Sequence, residues 1–154
     1  MTSGAETTQE TTVSNSFADV LYAVNEQANE DAGESYIFKV WQRLCWSGQC
    51  RLCRRYPEGK PVVPGTTNVT SIYNAARSCS GKVEFVTPTL SVLEAVFRIL
   101  IVNGNQPMRF SAVVDKLKEH WGTEFPQRVE SLELLQRVLD SANEYHIGRA
   151  PETE

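Results

Sequence analysis

The 154 residues carry 15 basic and 19 acidic side chains, a net charge of −4, with 41% apolar and 22% charged residues. That length holds one ordinary domain, or two small ones of which the smaller needs a staple. No run of about eighteen apolar residues and no charged start with an apolar core is present, which argues against a membrane span and an export signal and leads us to expect a cytoplasmic protein.

The charge is segregated. Residues 1–38 hold seven acids and no Lys or Arg, residues 39–110 hold ten basic and three acidic residues, and residues 111–154 hold five basic and nine acidic. A basic middle attracts phosphate, and acidic flanks can equally pair with it inside the protein or in an oligomer.

In chain order, residues 1–15 are Thr, Ser, Glu and Gln with almost no apolar surface and read as a disordered tail. Ser16 opens Phe17, Val20, Leu21 and Val24 at helical spacing, which predicts a short amphipathic helix ending before Ala32-Gly33. A second helix is expected over 35–46, with Ile37, Val40, Trp41 and Leu44 as its stripe and Cys45 at its C-terminal end. Pro57, Gly59, Pro61, Pro64 and Gly65 make residues 56–70 a connector. Ser71 to Arg77 reads as a helical turn carrying Ile72 and Tyr73, and Lys82 to Val86 as a short strand.

Thr87-Pro88 is expected to cap and open the clearest helix, with Leu90, Leu93, Val96, Phe97, Leu100 and Ile101 as its stripe, stopped by Asn103-Gly104-Asn105. Gln106 to Phe110 reads as a short extended link. A helix over Ser111 to Trp121 then buries Val113, Val114, Leu117 and Trp121 and ends at Gly122. A third helix is predicted from about Arg128 to Asn143, with Val129, Leu132, Leu135, Val138 and Leu139 inward, followed by a closing strand at Tyr145-His146-Ile147. The fold class is therefore mainly α with short strands (α+β). Its predicted divisions are a 1–15 tail, a 16–86 helical cysteine-rich module, an 87–149 helical domain and a 150–154 tail.

Three of the four cysteines, Cys45, Cys50 and Cys53, fall within nine residues, and Cys79 is the fourth. Cys50 and Cys53 have the spacing of a zinc-chelating pair, and Cys45 with Cys79 completes a closed tetrahedral set that leaves no position for a reactive water. The spelling C-x-x-G-x-C-x-x-C also resembles the loop of plant-type [2Fe–2S] ferredoxins, which implies an iron–sulfur cluster as the alternative. Arg51, Arg54 and Arg55 would offset either anionic centre, so charge does not choose between them. Four ordinary buried thiols are the bland alternative. His120 and His146 are spare ligand candidates, more simply read as surface or core residues.

Three helices separated by a short extended piece and followed by a strand resemble a winged-helix or helix-turn-helix domain over residues 87–149, with the chain ending before a second wing strand. That resemblance implies DNA binding. With the cysteine module as a structural centre, Arg43, Arg51, Arg54, Arg55, Tyr56 and Lys60 would form the contact surface of a DNA-associated transcriptional regulator. Glu130, Glu133, Asp140 and Glu144 on the third helix oppose a major groove and favour a protein-interaction subunit instead. Redox or cluster-sensing work is the third reading. No nucleophile motif, phosphate loop, dinucleotide fingerprint or His-x-x-x-His appears, so a non-enzymatic role is expected.

Overall fold

A computed structural model describes residues 19–43, 69–79 and 86–150. These are mainly helical, with a small antiparallel sheet. In chain order they form β1 (Leu21–Val24), α1 (Glu26–Asp31), α2 (Tyr36–Trp41), α3 (Val69–Cys79), α4 (Val92–Val102), β2 (Met108–Arg109) and α5 (Phe110–Trp121), then a 3-10 turn at Gly122–Glu124, α6 (Phe125–Arg128), α7 (Leu132–Asp140) and β3 (Ile147–Arg149). The predicted 1–15 tail, the connector up to residue 68, residues 82–85 of the predicted strand and residues 151–154 lie outside the described residues.

The helix predicted from Ser16 is corrected. Residues 21–24 form a strand, and the helix begins only at Glu26, where the Asn25 side chain accepts the Ala28 N–H. In so short a window the spacing Val20, Leu21, Val24 fits a helix and the alternation Tyr22, Val24 fits a strand, and pairing on both sides decides. β1 is the middle strand, in the order β2-β1-β3. Leu21 and Tyr22 pair with Arg109 and Met108, while Tyr22, Ala23 and Val24 pair with Arg149, Gly148 and Ile147. Beyond the end of β2, Asn105 continues the ladder with its side chain: its Oδ1 accepts the Val24 N–H and its Nδ2 donates to the Val24 carbonyl, both at 2.8 Å. Asn105 holds this pose with φ of 55° beside Gly104 at 69°. Asn tolerates that left-handed region and Gly adopts it freely.

Helix bodies follow their apolar stripes, and their starts follow side-chain caps. Ser35, Ser91 and Ser131 each accept an N–H three residues on, at the heads of α2, α4 and α7. The predicted Thr87-Pro88 start of α4 is thereby displaced to Ser91, which has Ser-x-x-Glu spacing to Glu94 and caps the helix. The helix expected from Arg128 is divided: Val129 is extended, with φ −123° and ψ 101°, which separates α6 from α7. Gly122, with φ of 55°, ends α5 as predicted. The closing strand lies slightly later than expected, at Ile147–Arg149, because His146 turns the chain with φ of 58°.

One apolar core joins these elements. Phe97, Leu100 and Ile101 of α4 lie at its centre with Val113 and Leu117 of α5, Tyr22 and Val24 of β1, Val40 of α2, Ile72 and Ala76 of α3, and Leu139 of α7. The predicted division at 86/87 is crossed by both the sheet and this core.

Candidate functional site

Of the predicted ligands, Cys45, Cys50 and Cys53 lie outside the described residues, as do Arg51, Arg54, Arg55, Tyr56 and Lys60. Cys79 is the last residue of α3. That helix packs on α2. Among the described residues no cluster of three or more His, Cys, Asp or Glu side chains is arranged to hold a metal ion. The two spare histidines have different surroundings: His146 has Nε2 3.4 Å from Glu34 Oε1, and His120 lines a groove between α4 and α5.

Arg43, expected on a contact surface, is drawn inward. Its Nε and Nη2 donate to the two oxygens of Glu94, each at 2.9 Å, and its guanidinium lies 4.8 Å from the centre of the Phe97 ring. Arg98 Nε donates to the same carboxylate at 2.7 Å, and the Tyr145 hydroxyl also donates to it, at 2.9 Å. Burial alone would raise the Glu94 carboxyl, but the bonds from Arg43 and Arg98 outweigh it and hold the pKa at about 2. This cluster ties the end of α2 to α4 and to the segment before β3. Sequence spacing could not find it, since 51 residues separate Arg43 from Glu94. Lys39 also turns inward, to Glu34, Asn29 and the Glu144 carbonyl.

Comparison with family models, curated proteins and solved structures finds no match for this chain.

Two surface features remain as places where a partner could bind. The larger is a hollow of about 700 Å³ over the Ala23–Gly148 pair, walled by Glu26, Asn105, Asp140 and His146. Its polar side chains are already satisfied within the fold. Glu26 accepts from Tyr73 and Asn105. Asp140 accepts the Tyr22 hydroxyl at 2.7 Å and two bonds from Arg149. Arg149 holds the Asp140 carboxyl below its usual range, and burial, then the bond to Asp140, pushes the Tyr22 hydroxyl up to about 12.

The second feature is α7. Leu132 and Val138, predicted inward, are 38% and 41% exposed, and Leu134 is 43% exposed, whereas Leu135 and Leu139 are buried as predicted. Leu135 and Leu139 face the core, Leu134 and Val138 are each turned about 100° from the leucine that follows them, and Leu132 is exposed as the first residue of the helix. Leu134 and Val138 flank a groove of about 270 Å³ lined by apolar Val92, Val129 and Leu135 and by polar Gln127, Arg128, Glu130 and Ser131. Nothing among the described residues covers it.

Proposed function

We propose that this chain is a non-enzymatic protein-interaction module of winged-helix-like architecture that docks through α7. The element order supports the architecture: α4, β2, α5, α7 and β3 follow the helix–strand–helix–helix–strand pattern, and β1, arriving from the N-terminal side, occupies the middle of the sheet where a second wing strand would insert. The observation that carries the docking role is the exposed pair Leu134 and Val138 beside a groove of mixed apolar and polar lining, on the helix that would serve recognition. Apolar side chains at a docking helix suit a protein groove or helix, and Glu130 and Glu133 beside them repel phosphate.

The cysteines belong to this proposal as a structural centre, with zinc, or alternatively an iron–sulfur cluster, held by Cys45, Cys50, Cys53 and Cys79. Such a centre replaces core that the N-terminal segment is too short to build.

The DNA-associated regulator is the second reading, favoured by the same element order. It needs a basic face that Arg51, Arg54, Arg55 and Lys60 would supply, since Arg43 is engaged by Glu94.

A photo-crosslinker placed at position 138, with a control at position 119 on α5, separates the two readings in cell extract. Protein adducts at 138 and none at 119 support the interaction module. Nucleic-acid adducts, accompanied by duplex binding that weakens steeply with salt, would replace it with the regulator. No adducts at 138 would remove the docking role.

A further inference from the structure

The geometry points to a binding site for a primary alkylammonium group in the hollow over the Ala23–Gly148 pair, with the ammonium on Glu26 and the alkyl chain along the sheet. The lining of this hollow shares no residue with the α7 groove, and the site goes beyond the docking role.

The charge balance of the fold singles out Glu26. Among the described residues three carboxylates are half-buried, those of Glu26, Glu34 and Glu94. Glu34 is neutralised by Lys39, and Glu94 by Arg43 and Arg98. Glu26 has only neutral donors, the Tyr73 hydroxyl at 2.6 Å and Asn105 Nδ2 at 3.1 Å, and no ion-pair partner among the described residues. Both bonds arrive at Oε2, which leaves Oε1 to accept. A carboxylate partly withdrawn from water gains from a cation what it has lost in solvation.

The hollow supplies room beside that carboxylate. At about 700 Å³ it has the size of a small-molecule site. Tyr22 and Val24 point into the core, so Ala23 and its partner Gly148 face the other way and form a floor with almost no side chain. Ala28 and Ala142 add short apolar walls. A β-carbon at Gly148 would meet nothing within 4 Å, so the floor is open where an alkyl chain would lie. The other charged walls are engaged. Arg149, paired with Tyr22 at the far end of β1 from Glu26, gives Nε and Nη2 to Asp140, and His146 meets Glu34.

These features choose among ligands. A guanidinium needs both carboxylate oxygens for its paired bonds, whereas an ammonium is a point charge that one oxygen can hold. A metal ion needs further ligands, and among the described residues no three His, Cys, Asp or Glu side chains are arranged to hold one. An anion would meet the carboxylates of Glu26 and Asp140. The chemistry that remains is shared by a lysine side chain and a free alkylamine.

Amide spectra of the isotope-labelled full chain, titrated with n-butylammonium chloride at constant ionic strength, test this site. The Ala23 and Gly148 amides should shift and saturate with a dissociation constant of about 1 mM, and n-butanol should bind about tenfold more weakly or worse. Glu26→Gln keeps an acceptor for Tyr73 and Asn105 and should weaken butylammonium binding by about tenfold or more. Gly148→Leu places a side chain in the hollow and should abolish binding, with an unchanged circular dichroism spectrum. A second titration, with Nα-acetyl-lysine methylamide, names the source. An affinity within about threefold of butylammonium assigns the site to lysine side chains of a protein, and loss of binding assigns it to a free amine. No saturable shift up to about 50 mM, equal binding of butanol, or full affinity in Glu26→Gln or Gly148→Leu would overturn the inference.

Discussion

Replacing Glu94 by Gln tests whether the four hydrogen bonds that Arg43, Arg98 and Tyr145 donate to that carboxylate support the fold. The carboxyl sits at about 2 against an ordinary 4.5, a displacement that at about 1.4 kcal/mol per pH unit corresponds to roughly 3 kcal/mol of stability at neutral pH. Its side chain is only 14% exposed, so solvent screens little of this. The folded pKa is depressed, so the contribution is complete above about pH 4.5 and is lost as the pH falls through 2. Urea unfolding of wild type and Glu94→Gln, followed by tryptophan fluorescence at fixed ionic strength, gives the difference directly. The difference should be roughly 3 kcal/mol at pH 7 and under about 1 kcal/mol near pH 2.5. The carboxylates of Glu34 and Asp140, which are also held low, occur in both proteins and cancel. A difference that does not change with pH would refute the assignment of this energy to the ionised Glu94.

Three further outcomes follow from other contacts. Asn105→Ala removes both side-chain bonds to Val24 and leaves a β-carbon in the left-handed region, so it should cost about 2–4 kcal/mol in denaturant unfolding and speed hydrogen exchange at the Val24 amide; unchanged exchange there would reject the ladder-extending role. Phe97→Ala, in a side chain with no exposed surface and under the Arg43 guanidinium, should destabilise by about 3–5 kcal/mol, and a loss below about 1 kcal/mol would contradict its central place in the core. Metal analysis and a visible spectrum of the untagged protein should find zinc near one equivalent or the absorption of an iron–sulfur cluster, and neither would discard the four-cysteine centre.

What could be read in the sequence was set by short-range chemistry. The apolar stripes of Val96, Phe97, Leu100 and Ile101, and of Val113, Val114 and Leu117, lie on single helices, and each is buried in the structure. Gly122 and Asn103-Gly104-Asn105 announce chain turns because few residues accept positive φ. The same local chemistry misled where two signals competed, as when Thr87-Pro88 offered a helix start and Ser91 with Glu94 offered a better one.

The candidate docking face was only half legible. Leu132, Leu135, Val138 and Leu139 were recognisable as one apolar set, but only packing against the core decides that Leu135 and Leu139 are buried while Leu132 and Val138 are exposed. A strand at 21–24 likewise has no local advantage over a helix. It exists because β2 and β3 satisfy its backbone from both sides, and Asn105 does so where β2 stops.

By itself, then, the sequence determined that this is a mainly helical chain, where most of its helix bodies lie, and that its cysteines and arginines concentrate between residues 43 and 60. Tertiary structure alone decided that the N-terminal segment enters the middle of the sheet, that Arg43 turns onto Glu94, and that α7 leaves Leu134 and Val138 in water. The physical reason is range: apolar periodicity and turn sterics act within a few residues, whereas strand pairing, ion pairs and helix rotation depend on groups that only folding brings together.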